Sequence, residues 1–208
     1  MKKYGNSFNS GTKDYAVSKI PIWLHVDECY TAGCTLNDQV VGNTIPVGTP
    51  VYVPKVGAEA VVLETFEVIG AVAAADGTTL VLKSVSGAIV PAKDMLVGKL
   101  NNGVVAKAAK LPEVTSVGSG DHEGEYTFTI TAGTYGALSD GDIMVFAVEA
   151  GSNKAFAKPT GLIYEDVTIG NVGATGTVVT KGQVLADRIA AIPEAYKPYL
   201  TNITFVNE

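Results

Sequence analysis

Along this chain the apolar residues come in short runs cut by glycine and polar turns, and seldom at the three-to-four spacing a helix needs. Residues 161–169 and 176–185 are rich in β-branched side chains. Gly170, Asn171, Gly173 and Gly176 crowd their connection, which predicts a hairpin of two short strands. Further strands are expected at 60–69, 78–85, 104–108, 125–131 and 144–149. Of these, 78–85 and 125–131 alternate with period two, as antiparallel strands with one wet face do. Residues 187–196 are the one stretch with a helical pattern, broken at Pro193, and an apolar strand at 203–206 closes the chain. The pattern as a whole predicts an all-β protein of short antiparallel strands with one short helix.

A local device recurs at 45–52, 90–97, 138–145 and 179–186: an apolar residue, a polar turn with glycine in three of the four cases, then an apolar run. The starts are unevenly spaced, so this is a turn feeding a strand rather than a stacked repeat. Residues 115–124, rich in serine and glycine, form the most linker-like stretch. They mark either a domain boundary or a long hairpin tip. Taken as a boundary, they divide the chain into an N-terminal arm and attachment segment (1–42), a middle β domain (43–115) and a C-terminal β domain (116–208).

The N-terminal segment is polar and carries spaced aromatics at Tyr4, Phe8 and Tyr15. It then turns abruptly apolar at Ile20, Ile22, Trp23 and Leu24, where Pro21 keeps the chain extended. Two readings stand: a polar terminus leading into an edge strand, or an arm that orders on a partner. The lone Trp23 favours the arm, because tryptophan is enriched at interfaces.

Composition narrows the function classes. A chain of 208 residues can bury about 70% of its unfolded surface, so it needs neither disulfide nor metal to fold. With Arg188 the only arginine, 21 acidic residues and a net charge of −6, it is a poor partner for nucleic acid. No glycine-rich phosphate-binding fingerprint is present. No secretory leader pattern and no apolar run of about 20 residues are found, so the expected setting is a cytoplasm, with no membrane span.

The candidate chemistry is thin. His25, Cys29 and Cys34 fall close together with Asp27 and Glu28, but zinc sites want two ligand pairs and the second is missing, so no metal and no cofactor are expected. Asp121, Glu123 and Glu125 around His122, and Asp140 with Asp142 beside Gly141, do not follow a calcium-loop spacing. Glu165 and Asp166 are adjacent, so on a strand they would face opposite sides. No nucleophile motif accompanies either histidine. No enzyme is expected.

The run Pro159-Thr-Gly-Leu-Ile-Tyr-Glu-Asp-Val167, the strand ending Lys181-Gly-Gln-Val184, the Asp187-x-Ile189 step and the terminal Ile203-Thr-Phe-Val206 together resemble the head decoration and head fibre proteins of tailed bacteriophages. The resemblance covers roughly residues 134–208. The positions that carry it are Gly161, Leu162, Glu165, Asp166, Val167, Gly182, Val184, Asp187 and Phe205. It implies a small tulip-like β domain with one short helix, in a homotrimeric structural protein of the virion. Such a protein is assembled in the host bacterial cytoplasm and bound to the major capsid protein on the outer capsid surface. The capsid attachment residues would then be Tyr4, Phe8, Tyr15, Ile20, Ile22, Trp23 and Leu24. The alternative is a virion-borne β-sandwich module that binds host-surface glycans, with the stretch from Tyr196 to Tyr199 as a sugar platform.

Overall fold

The computed structural model describes residues 22–30, 33–37, 41–55, 57–72, 79–84, 96–101, 104–105, 114–122, 125–130, 137–147, 158–171 and 173–207. Five strands come first: β1 (Trp23–Cys29), β2 (Cys34–Asn37), β3 (Thr44–Ile45), β4 (Pro50–Tyr52) and β5 (Ala60–Val62). A middle group follows: β6 (Thr65–Val68), β7 (Thr79–Ser84), β8 (Leu96–Asn101), β9 (Val104–Val105), β10 (Val114–Ser119), β11 (Glu125–Ile130) and β12 (Ile143–Ala147). The last are β13 (Gly161–Ile163), β14 (Val167–Thr168), β15 (Ala174–Gly176), β16 (Val178–Leu185) and β17 (Ile203–Val206). The protein is all-β.

First and last groups combine into one sheet, in the order β1-β16-β13-β4-β5-β2-β15 with β17 beside β16, while β3 and β14 make a separate ribbon. The middle group forms its own sheet, β10-β11-β7-β6-β12-β8-β9. The middle sheet is therefore an insertion between β5 and β13. This differs from the expected division at residue 115, which falls inside β10. Strands β10 and β11 pair as a hairpin, and β11 continues onto β7, so the linker-like stretch is a hairpin tip within one sheet. Nor does a boundary at residue 42 separate two bodies, because β2 lies against β5. Most pairs are antiparallel, as expected; β2 with β5 and β16 with β17 are parallel.

The first sheet curls on itself, since β15 ends at Gly176 and β16 begins at Val178, so its last strand runs directly into its second. Inside the curl sit Cys34, Leu36, Ile45, Val51, Ala60, Val62, Ile163 and Val178, small and branched side chains that fill a narrow interior. The middle sheet obeys the alternation seen in its sequence. Leu80, Leu82, Phe66, Val68 and Phe128 point to one fully buried face, while Lys83 and Glu67 on the same strands face water. Phe66 and Phe128 meet edge to face at 5.8 Å.

A third cluster joins the two sheets: Leu63, Leu100, Val145 and Tyr196, flanked by Tyr52, Val61, Ile143 and Ile192. The strand expected at 60–69 is consequently two strands. It breaks at Leu63-Glu64, where the chain leaves one sheet for the other and the Leu63 N–H donates to the Pro50 carbonyl at 2.9 Å.

The expected helix at 187–196 is absent; 3₁₀ turns stand at Ala186–Arg188 and Lys197–Tyr199. Ile189 is extended, with φ −113° and ψ 167°, and the Ala190 N–H donates to the Val47 carbonyl at 3.2 Å instead of to its own chain four residues back. From Pro193 onward, successive N–H groups bond three residues back, Tyr196 to Pro193, Lys197 to Glu194, Tyr199 to Tyr196 and Leu200 to Lys197. The helix-like spacing of Ile192, Tyr196 and Leu200 instead serves two neighbouring cores, with Tyr196 in the junction cluster and Leu200 beneath β16.

Of the recurring turns, two are built alike. In 46–49 and 139–142 the fourth N–H donates to the first carbonyl, and Gly48 and Gly141 take φ of 83° and 81°, which only glycine adopts without strain. The turn expected at 180–183 is instead the middle of β16. The turn of 90–95 lies outside the described residues.

Candidate functional site

Five of the motif residues, Gly161, Leu162, Gly182, Val184 and Phe205, gather at β16. This strand pairs with β1 along one side and with β13, then β17, along the other. Leu162 and Val184 are fully buried beneath it with Leu200 and Ile203, and Ile22, Trp23, Ile189 and Phe205 pack around them. Two glycines permit this closeness. A Cβ on Gly161 would lie 2.4 Å from the Val179 carbonyl oxygen, and one on Gly182 would lie 2.5 Å from that of His25. Asp166 ties the β13–β14 turn to the β3–β4 turn, its Oδ1 accepting the Val47 N–H at 2.8 Å, and Val167 pairs with Ile45. Glu165 is exposed, and Asp187 is exposed in the first 3₁₀ turn. Gly161, Leu162, Asp166, Val167, Gly182 and Val184 thus serve packing and pairing.

Of the expected attachment residues, Tyr4, Phe8, Tyr15 and Ile20 lie outside the described residues. Trp23 is not a free anchor. Its indole Nε1–H donates to the Tyr164 carbonyl at 2.8 Å, and its ring stacks on that of Tyr164 at 6.1 Å. Ile22 is half-buried against the same cluster, and its carbonyl accepts the Leu185 N–H. Leu24, at 46% exposure, and Tyr164, at 41%, remain on the surface. The arm reading therefore stops before Ile22, because the strand that follows is the outer strand of the first sheet. Tyr164 was not singled out in the sequence, since only the fold brings it across from Trp23.

The candidate metal residues separate. His25 and Asp27 pair on the exposed face of β1 at 2.8 Å, Cys29 ends that strand, and Cys34 points into the first core. Both cysteines are free thiols. Among the described residues no three potential ligands come together. The other acids serve turns: Asp140 Oδ1 accepts the Gly70 N–H at 2.7 Å, and Asp142 Oδ2 accepts Lys99 Nζ at 2.6 Å and the Ser139 N–H at 2.8 Å. Burial pushes the Asp142 carboxyl up, but those two donors and the Lys99 charge outweigh it and hold it below the ordinary aspartate value. Asp121 and His122 are exposed, and Glu123 lies outside the described residues. Tyr196, the expected edge of a sugar platform, is 1% exposed within the junction cluster. The ring of its companion Tyr199 is covered by Lys158 Nζ at 4.6 Å. That platform does not exist.

One concavity was not legible beforehand. Asp27, Glu28, Cys29, Tyr30, Thr160, Thr180 and Asn202 surround an open hollow of about 640 Å³. It arises where β13 hands over to β17 alongside β16: β13 reaches only to Val179 and β17 begins at Gly182, so the sheet is notched at Thr180 and Lys181.

Compared with known proteins, the chain matches no family model, no curated protein and no solved structure. No helix among the described residues is long and apolar enough to cross a membrane.

Proposed function

We propose that this chain is a structural virion protein, a capsid decoration or head fibre protein that attaches to the major capsid protein on the outside of a tailed-phage head. The observation that carries the reading is the convergence of five of the motif residues on β16. Gly161, Leu162, Gly182, Val184 and Phe205 carry the resemblance, and here they build one unit that joins β1 and β17 through β16. Packing of this kind is what an architectural module needs, and none of these five side chains carries a reactive group. The arm that would grip the capsid enters the fold at the free end of β1, beside the Trp23–Tyr164 stack.

The test is co-sedimentation with undecorated heads, comparing the full chain with a truncation lacking residues 1–19. The truncation is expected to keep its folding transition, since every described strand lies downstream, and to lose most of its binding. Equal binding by the two proteins overturns the arm. Failure of the full chain to sediment with heads overturns the virion reading itself.

A further inference from the structure

We infer that the notch beside Thr180 is a carbohydrate site that takes a single neutral pyranose ring. This rests on the geometry of the hollow and not on the capsid reading. The hollow falls within the volume range of small-ligand clefts. Its floor is the stretch of β16 that lacks a partner on the β13 and β17 side, and its walls come from four places in the chain: the end of β1, Tyr30 just after it, Thr160 before β13 and Asn202 before β17. The β1 wall is shaped by register shifts on both sides of Glu28, which break the regular pairing there.

The chemistry of the lining selects the ligand class. Two carboxylates, Asp27 and Glu28, disfavour an anion. A bound divalent cation needs more ligands than the hollow supplies, because no three potential metal ligands gather among the described residues. A polyhydroxylated neutral ring suits what remains. Its hydroxyls donate to Glu28, Asp27 being already paired with His25, and the Asn202 amide offers both a donor and an acceptor. The Thr180 hydroxyl donates its hydrogen to the Glu28 carbonyl at 3.3 Å and so adds a further acceptor at the rim. Tyr30, half-buried against the first core, supplies an aromatic side chain whose packing holds it in place. The Thr160 hydroxyl is already engaged, accepting the Val53 N–H at 2.9 Å, so it shapes the wall and is not expected to grip the ligand.

The experiment is a titration of the full-length protein followed by amide shifts in NMR, using methyl glucoside, methyl galactoside, methyl mannoside and N-acetylglucosamine as probes. Calcium chloride and sodium sulfate serve as comparison arms. The expected result is saturable shifts at the amides of Glu28, Cys29, Tyr30, Thr180 and Asn202 with at least one of the sugars. Asn202→Ala and Glu28→Gln are each expected to weaken that binding by about tenfold, the factor that one charge-assisted or amide hydrogen bond carries. Ser116→Ala, on the exposed face of β10, is expected to change nothing. Because Tyr30→Ala removes a core contact, Tyr30→Phe is the informative variant there, and it is expected to retain binding. Absence of saturable shifts with all four sugars overturns the inference. So does binding that survives both Asn202→Ala and Glu28→Gln, or a site that takes calcium or sulfate in preference to every sugar.

Discussion

Asp142 does more for the fold than its place in a surface turn suggests. One oxygen holds both the Lys99 ammonium of β8 and the Ser139 N–H that opens the turn into β12, and both ends of the ion pair are about one-fifth exposed. A carboxyl held below its ordinary value stabilises the fold in full above the unfolded pKa, near 4, and loses that contribution as pH falls through the lower folded value. Asp142→Asn should therefore cost about 1 kcal/mol at neutral pH, and the gap to the parent protein should close on acidification below about pH 4. Urea titrations at several pH values read this directly, and a gap independent of pH would contradict it. The two thiols offer a second residue-scale expectation. Cys34 is buried in the first core, where burial pushes its thiol up, whereas Cys29 is half-buried at the rim of the notch. A disulfide-exchange reagent should label Cys29 in the native protein and reach Cys34 only when the fold opens. Two thiols reacting at equal speed without denaturant would show the first core to be looser than described.

At the scale of elements, β1 is the outer strand of its sheet and shows the marks of a protected edge. Its register slips repeatedly against β16, and His25, Asp27 and Glu28 lie exposed along it. What holds it is not its own hydrogen-bond ladder alone but Trp23, seated over Tyr164 and against the cluster beneath β16. Trp23→Ala should therefore lower the stability of the fold by about 2 kcal/mol, less than the loss at a fully buried tryptophan. Gly182→Ala should act on the same strand from the other side, since its new methyl meets the His25 carbonyl backbone, which cannot turn aside as a side chain would. Thermal melts of the two variants check this. If Trp23→Ala leaves the melting temperature unchanged yet weakens attachment to capsids, the tryptophan belongs to the partner surface after all. The segment from Pro193 to Leu200 is the other element whose role exceeds its regularity, because its side chains close two cores at once while its backbone runs through short-range turns.

For the molecule as a whole, the inserted middle sheet meets the first, among the described residues, through an apolar junction centred on Leu63, Leu100, Val145 and Tyr196. Large apolar side chains at Leu24, Val41, Ile69 and Tyr164 stay on the surface, in a chain that is 47% hydrophobic. Exposed singly they are ordinary. Cyclic self-association would cover some of them, and a homotrimer is the expected state on the strength of the family resemblance. Sedimentation equilibrium at tens of micromolar should find the trimer, the order of concentration at which weak oligomers still form. A monomer there would count against it.

Much of the secondary structure was legible in the sequence because alternation is a local property. The period-two runs became β7 and β11, the apolar ending became β17, and the glycine turns at Gly48 and Gly141 formed as their φ angles require. Only the tertiary structure decided which strands pair. A run such as 60–69 carries no mark of the sheet to which each half belongs, and the break at Leu63 follows from two cores competing for one segment. The pattern at 187–196 satisfies a helix equally well on paper, but Val47 accepts the Ala190 N–H and Pro193 donates none, so the backbone took short turns instead. Trp23 looked like an interface residue because it stands alone in an apolar patch, and its partner Tyr164 lies 141 residues away. The notch at Thr180 has no sequence signal at all. It exists because β13 stops short of where β17 begins, a mismatch of strand lengths that arises only after both have paired with β16.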